Sequence, residues 1–390
     1  MSPKTQTLLG VGDVYLYAAP PAEPLFEKTK PVLEPADISL GHIKCMFTSR
    51  GVNTFADMGL AQVGERFEMP GADPKNIAAL DYAGFDVMTL ANCHTWDAGD
   101  PGVEDTIAGL KKYGIAHCGA GMNIDEARRP AIIERDGTRI GFLAYNCTGP
   151  MGSWALPQKA GCAYVHVLAA YELDLPVIGG YPTTYTFAEP GKLQEMIDDI
   201  RKLRSLCDVL VVFLSKGIGF LPVKLAMYEQ QVSYAAIDAG ADLILASHAH
   251  ILKGNEQYNG KWIFHGLGNF VINMGGPPVQ SRPQSQSQSQ NQKFVKAHGG
   301  PFFFERGGKE TPFPNTPEQG LTIIAKCNIQ DGRITEVSYL PCLGGQHKPV
   351  EILKNDERGQ RVFEYVENIT RGAELNARYE WKGDEVVIHT

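Results

Sequence analysis

Short apolar runs that stop abruptly at polar residues recur along this chain. Residues 242–246 end at Ser247-His248-Ala249-His250, and residues 208–214 end at Ser215-Lys216-Gly217. Residues 7–17 read as a strand ending at Gly12-Asp13, and 36–45 as one with the polar end His42-Ile43-Lys44-Cys45. Runs apolar throughout fit strands buried on both faces. Strands are also expected over 85–91, 115–118, 139–145 and 261–270. Helical periodicity predicts helices over 74–83, 104–113 and 223–239, closed by Gly84, Gly114 and Gly240, and over 192–206. This β–α–β–α alternation predicts an α/β sandwich, whose sites sit at the carboxyl ends of its strands.

Beyond that core, residues 149–191 are rich in Gly, Pro and aromatics and lack a helical period. They read as a long ordered excursion, a substrate wall or a cover over the sheet. Strands follow over 321–329 and 334–340, then a helix over 358–369 and a short strand over 380–389. Ser-Gln repeats from Ser285 to Gln290 mark a polar, low-complexity stretch. It cannot bury apolar area, so a disordered insertion is expected at 275–295. With no repeat and no separating linker, residues 1–390 read as a single domain.

Composition narrows the function classes. The chain has 390 residues, 43% hydrophobic and 21% charged, as soluble globular proteins do. A net charge of -8 argues against nucleic acid as a partner. No apolar run has membrane-spanning length, and the first residues lack a signal-peptide core. A cytoplasmic location with no membrane partner is therefore expected. Eight cysteines without a CxxC pattern suggest reduced thiols.

Candidate chemistry gathers at the strand ends. On extended chain, His248 and His250 would turn both rings to one face, because side chains repeat with period two. Such a pair suits a metal ion, or an acid and a base on one substrate. The loop Asn92-Cys93-His94-Thr95-Trp96-Asp97 follows another strand end. Asp13 is either a turn former or a ligand.

Five segments carry a family likeness: Gly12-Asp13-Val14, residues 90–99, residues 119–130, residues 237–250, and residues 263–270. In order and spacing they resemble the CapA-like (poly-γ-glutamate capsule synthesis) branch of the calcineurin-like metallophosphatase superfamily. Residues 162–168 with Tyr171-Glu172 are similar to a soluble bacterial subgroup. The resemblance implies a four-layer α/β/β/α sandwich with a dinuclear metal cleft where the strand-end loops meet. It also implies departures. Lys44 stands where an acidic ligand is expected, Cys93 where an amide is, Ser215-Lys216 where His-Trp is, and Ala246-Ser247 where Gly-His is. Asp13, His94, Asp97, His248 and His250 remain.

Losing a carboxylate, an amide and an imidazole while gaining two lysines weighs against a two-metal centre, because a protonated lysine has no lone pair and repels cations. Two alternatives remain open: one divalent metal on Asp13, His248 and His250, with Cys93 or His42 as a further ligand, or equally one lysine ammonium in the place of a metal, neutralising Asp13. Three functions follow for a small-molecule or peptide substrate. The first is metal-assisted hydrolysis of an amide or phosphoester bond. The second is acid/base epimerisation or elimination, with His94 set by Asp97 or Asp13 as base and His248 or His250 as acid. A peptide epimerase of this fold occurs among lasso-peptide enzymes. The third is a binding protein that keeps the fold without catalysis. Lys44, Lys216 and Cys93 complete the candidate catalytic set, Cys93 and Cys45 serving as proton carriers or nucleophiles if a nearby cation lowers their pKa.

Overall fold

The computed structural model describes residues 5–50, 71–172, 183–274 and 317–390. The insertion expected at 275–295 lies outside the described residues, as does the 173–182 part of the excursion. Two sheets carry the fold. The ten-stranded one runs in the order Arg378–Lys382, Glu385–His389, Arg333–Leu343, Leu321–Gln330, Gln6–Leu16, Ile38–Ile43, Val87–Thr89, Ala116–Cys118. Asn269–Asn273 pairs with Gln6–Leu16, and Glu351–Ile352 with Arg333–Leu343. The six-stranded sheet runs Leu252–Tyr258, Lys261–Leu267, Leu243–His248, Val209–Lys216, Thr138–Asn146, Ala131–Arg135.

Period-two alternation explains how the layers stack. Val209, Val211, Phe213, Leu243 and Leu245 meet Leu8, Leu40 and Val87 in a core between the sheets. Their neighbours Leu210, Val212, Leu214, Ile244 and Ala246 face the other way. They pack with Met196, Ile200 and Val232 of helices Pro190–Arg204 and Met227–Ala239. On the far side, Leu9, Val11, Val14 and Met88 pack with Ile77, Leu80, Val103 and Leu110 of helices Ile77–Ala83 and Gly99–Lys112. The result is the expected four-layer α/β/β/α sandwich. Each fully buried Leu or Ile contributes about 2 kcal/mol, so three apolar layers supply the main driving force.

Several boundaries differ from the sequence pattern. The first strand does not stop at Asp13 but continues to Leu16, with a register shift at Asp13/Val14 against Asn269–Asn273. The helix expected over 104–113 begins at Gly99, because Pro101 falls in the first turn, where a missing N–H is harmless. The strand expected over 380–389 is a hairpin, Arg378–Lys382 and Glu385–His389, turning at Gly383 with φ 67. The excursion holds another, Val167–Glu172 with Thr183–Ala188. Among the described residues no helix is long and apolar enough to cross a membrane.

One close approach fixes the position of Asp13. A Cβ on Gly12 would lie 2.0 Å from the Gly268 carbonyl oxygen, and Asp13 N–H donates to that same oxygen at 3.1 Å. Gly12→Ala forces two backbones apart. We expect it to lower unfolding free energy by about 3 kcal/mol, read as a reduced urea midpoint at unchanged slope.

Candidate functional site

Parallel strands deliver the candidate residues to one end of the sandwich. Asp13 lies on Gln6–Leu16, Lys44 follows Ile38–Ile43, Cys93 and His94 follow Val87–Thr89, and His248 and His250 end Leu243–His248. The loop bearing Cys93 is pinned by Asn92. Its side-chain amide donates to the carbonyls of Ile43 (2.7 Å) and Leu90 (3.1 Å), and its oxygen accepts from His94 N–H (2.8 Å). Cys93 is left half-buried beside Lys44, whose side chain is fully buried.

Three atoms form the centre. Lys44 Nζ lies 3.8 Å from Cys93 Sγ and 3.4 Å from His248 Nδ1, and Cys93 Sγ lies 3.8 Å from His248 Nδ1. His94 sits next to Cys93 and joins Asp97, its Nδ1 2.7 Å from Asp97 Oδ2. On the other flank, His250 Nδ1 is 3.1 Å from Asn269 Oδ1, 3.3 Å from the Tyr15 hydroxyl and 3.7 Å from Asp13 Oδ2. Asn269 also donates to the His250 carbonyl at 3.1 Å, and Phe220 stacks on the His250 ring at 5.4 Å.

The two late histidines do converge, with ring centroids 5.7 Å apart, but not as alternate residues of an extended strand. His248 has φ 117 and His250 φ 61, so the chain turns sharply through left-handed conformations. Such backbone costs about 1–3 kcal/mol per residue and persists where surrounding contacts impose it. Asn269 and Phe220 are those contacts for His250.

Charge sorts the groups. Burial alone would raise the Cys93 thiol. The charge of His94, that of Lys44 and the hydrogen bond with His248 outweigh it and hold Cys93 well below the usual thiol range. For His94, burial is outweighed by the Cys93 charge and the hydrogen bond to Asp97, lifting the imidazole to about 10. Each charge supports the other, so the pair favours thiolate with imidazolium over thiol with imidazole. His250 is pushed the other way, to about 3, by burial and then by the Lys44 charge. Asp13 is raised by burial against the pull of Lys44. Cys45 is no alternative nucleophile, since burial pushes it up to about 12. His42 lies beneath the cleft, stacked on Phe213 at 4.5 Å and held neutral by burial.

Lys216 does not join this centre. The strand runs through it, and its side chain turns to the helix layer. There Nζ donates to the Glu229 carbonyl (3.1 Å) and lies 2.6 Å from His265 Nδ1. His265 Nε2 meets Glu256 Oε1 at 2.7 Å, and Glu256 Oε2 accepts from the Tyr234 hydroxyl at 2.8 Å. Sequence reasoning passed over Tyr15 and Asn269. Tyr15 had a signal, being two residues beyond Asp13 and so on the same face of the strand.

The arrangement does not fit the two-metal centre that the sequence resemblance implies. The Lys44 ammonium lies against Cys93 and His248, and its charge acts on Asp13, putting a fixed cation where metal ligands would have to converge. Among the described residues, no three His, Cys, Asp or Glu side chains are grouped to hold a metal ion, the trio Asp13, His248 and His250 included.

Comparison with known proteins places the chain among capsule-related sequences. The family model described as "Bacterial capsule synthesis protein PGA_cap" matches residues 7–274. The capsule biosynthesis protein CapA of Bacillus anthracis is 26% identical over 205 residues, 52% of this chain and 44% of that protein. The PGA biosynthesis protein CapA of Bacillus subtilis is 25% identical over 255 residues, 65% of this chain and 58% of that one. The chain thus spans about half the length of these curated relatives. A solved structure titled a novel phosphatase, from Mycoplasma pneumoniae, overlaps 93% of this chain and 100% of its own at TM-score 0.44 and 12% identity. A hypothetical protein from Thermus thermophilus overlaps 86% and 98% at TM-score 0.44 and 13% identity.

Proposed function

The chain belongs to the bacterial capsule synthesis PGA_cap family, and from that premise we propose that it is a thiol-dependent acyl-transfer enzyme that hydrolyses an amide bond. The nucleophile is Cys93. The observation that carries this is the half-buried sulfur 3.8 Å from both Lys44 Nζ and His248 Nδ1, beside the His94–Asp97 pair. The hydrolytic expectation is kept, and a thiolate takes the task first given to metal-bound water. Relatives named for capsule and PGA biosynthesis point to a glutamyl amide as the substrate class.

The chemistry balances without a further reactant. Cys93 Sγ attacks the amide carbonyl carbon, forming a C–S bond and moving the π electrons onto oxygen. Collapse breaks the C–N bond, and the leaving nitrogen takes the proton of the His94 imidazolium. Water then attacks the thioester and gives a proton back to His94. The C–S bond breaks and the thiolate returns. Asp97 orients the ring through Nδ1, leaving Nε2 for the proton transfer. Lys44 supports the thiolate in both half-reactions.

Acid-quenched mass spectrometry of the enzyme mixed with a γ-glutamyl p-nitroanilide tests the idea. The expected result is one acyl adduct on the Cys93 peptide, removed by hydroxylamine. Undiminished p-nitroaniline release by Cys93→Ala would refute it. The opposite pKa shifts of Cys93 and His94 favour one second reading, proton exchange at a substrate Cα with thiolate as base and imidazolium as acid. Deuterium uptake from solvent without any adduct would select that reading.

A further inference from the structure

We infer that Tyr15 is a further catalytic residue, its hydroxyl donating a hydrogen bond to the substrate carbonyl oxygen as Cys93 attacks. The inference rests on the acyl-transfer reading and adds to it the group that receives the developing negative charge.

The strand aims Tyr15 at the cleft. Its neighbours Val14 and Leu16 pack on the helix side of the sheet, so Tyr15 leaves the opposite face, the one Asp13 also uses. The Tyr15 ring stands edge-on to His94 with centroids 6.2 Å apart, and 6.2 Å from the His250 ring. His94 adjoins Cys93 in the chain. His248, whose ring is 5.7 Å from that of His250, brings Nδ1 to 3.8 Å from the Cys93 sulfur. The phenol therefore stands between the two histidine flanks of the nucleophile.

Hydrogen-bond direction leaves that phenol one proton to give. The Asn269 side-chain amide donates to the His250 carbonyl, which turns the Asn269 oxygen toward His250 Nδ1 at 3.1 Å. An amide oxygen only accepts, so Nδ1 carries the hydrogen. The same N–H faces the Tyr15 oxygen at 3.3 Å, and there Tyr15 can only accept. Among the described residues that is the one hydrogen bond of the Tyr15 hydroxyl, so its own O–H has no acceptor. Tyr15 is buried, and a buried donor left unpaired costs about 1–3 kcal/mol. An oxygen that becomes negative during reaction is the acceptor that recovers most. Burial and then the Asp13 charge push the phenol well above its ordinary range, so it stays protonated.

As the C–S bond forms, the carbonyl π electrons move to oxygen, which accepts the Tyr15 O–H. On collapse they return and the C–N bond breaks. No proton leaves Tyr15, and His94 remains the proton donor to the leaving nitrogen.

Tyr15→Phe in the full chain separates this role from support of the thiolate. Iodoacetamide is attacked at a saturated carbon and develops no oxyanion, whereas γ-glutamyl p-nitroanilide does. Alkylation of Cys93 at pH 6 is expected to stay within about twofold of wild type. The acylation burst of p-nitroaniline should be about 100- to 1,000-fold slower, with KM little changed. The fold should persist, because His250 Nδ1 keeps Asn269; Tyr15→Met serves if Tyr15→Phe does not fold. A variant that acylates Cys93 at the wild-type rate overturns the assignment and leaves acyl transfer standing. Equal losses of alkylation and acylation also overturn it, since Tyr15 would then act through the thiolate. Wild type that forms no Cys93 adduct removes acyl transfer and this assignment with it.

Discussion

Cys93→Ala is expected to lower amide turnover on the order of 10,000-fold, with the urea midpoint nearly unchanged because the side chain is half-buried and packs no core. The matching chemical test is alkylation with iodoacetamide. An ordinary thiol loses about tenfold in thiolate for each pH unit below its pKa. Cys93 is held well below the usual range, so its reactive anion persists as pH falls, and labelling at pH 6 should run about 100-fold faster than for a free thiol. The label should fall on one site. The other seven cysteines are buried, and burial raises each of them, Cys45, Cys118, Cys147 and Cys327 to about 12 and Cys162 to about 11. Asp97→Asn keeps a hydrogen-bond partner for His94 but removes the charge that supports the imidazolium. Turnover should fall about 100-fold and the pH limit for fast labelling should move up. Equal labelling of several cysteines at pH 6 would remove the physical basis for the nucleophile.

What the chain disclosed in advance, and what it hid, both follow from side-chain period. Apolar runs such as 208–214 and 242–246 could only be strands with two buried faces, and the four layers follow from them. The polar residues ending those runs marked the cleft, and Asp13, Lys44, Cys93, His94, His248 and His250 do meet there. Lys216 misled because its strand was taken to stop at 214. Once the strand is seen to run through Lys216, that residue shares parity with Leu210, Val212 and Leu214 and must face the helices. The strand Leu252–Tyr258 was hidden by its own composition, Leu-Lys-Gly-Asn-Glu-Gln-Tyr. A polar run reads as a loop unless one knows that Glu229, His265 and Tyr234 are waiting to pair with it. The sharp turn at His248 and His250 depends on Asn269 and Phe220, which are distant in sequence, so local pattern carried no trace of it.

Glu229→Ala is expected to cost about 4 kcal/mol of stability, the largest effect of any single change away from the cleft. Both Glu229 and Lys253 side chains are fully buried, with Lys253 Nζ 3.5 Å from Glu229 Oε1. The same carboxylate oxygen accepts from Ala226 N–H at 2.9 Å at the start of helix Met227–Ala239. Its charge also opposes the burial that lowers Lys216 to about 8. Removing it strands two ammonium groups in the core. Glu229→Gln keeps an acceptor for Ala226 and should lose about half as much. The pH dependence separates charge from packing. Lys216 has a folded pKa below its unfolded value, so below pH 8 both states are protonated and the burial penalty is present in full. Between about 8 and 10.5 the unfolded chain binds more protons than the native one, and stability rises with pH. Without the Glu229 charge the folded pKa falls further, so that rise begins at lower pH in Glu229→Gln. The gap between wild-type and Glu229→Gln urea midpoints should therefore be widest near pH 7 and narrow toward pH 9.5. A gap independent of pH would mean that Glu229 acts through packing and its hydrogen bond alone, and that its charge does not support the buried lysines.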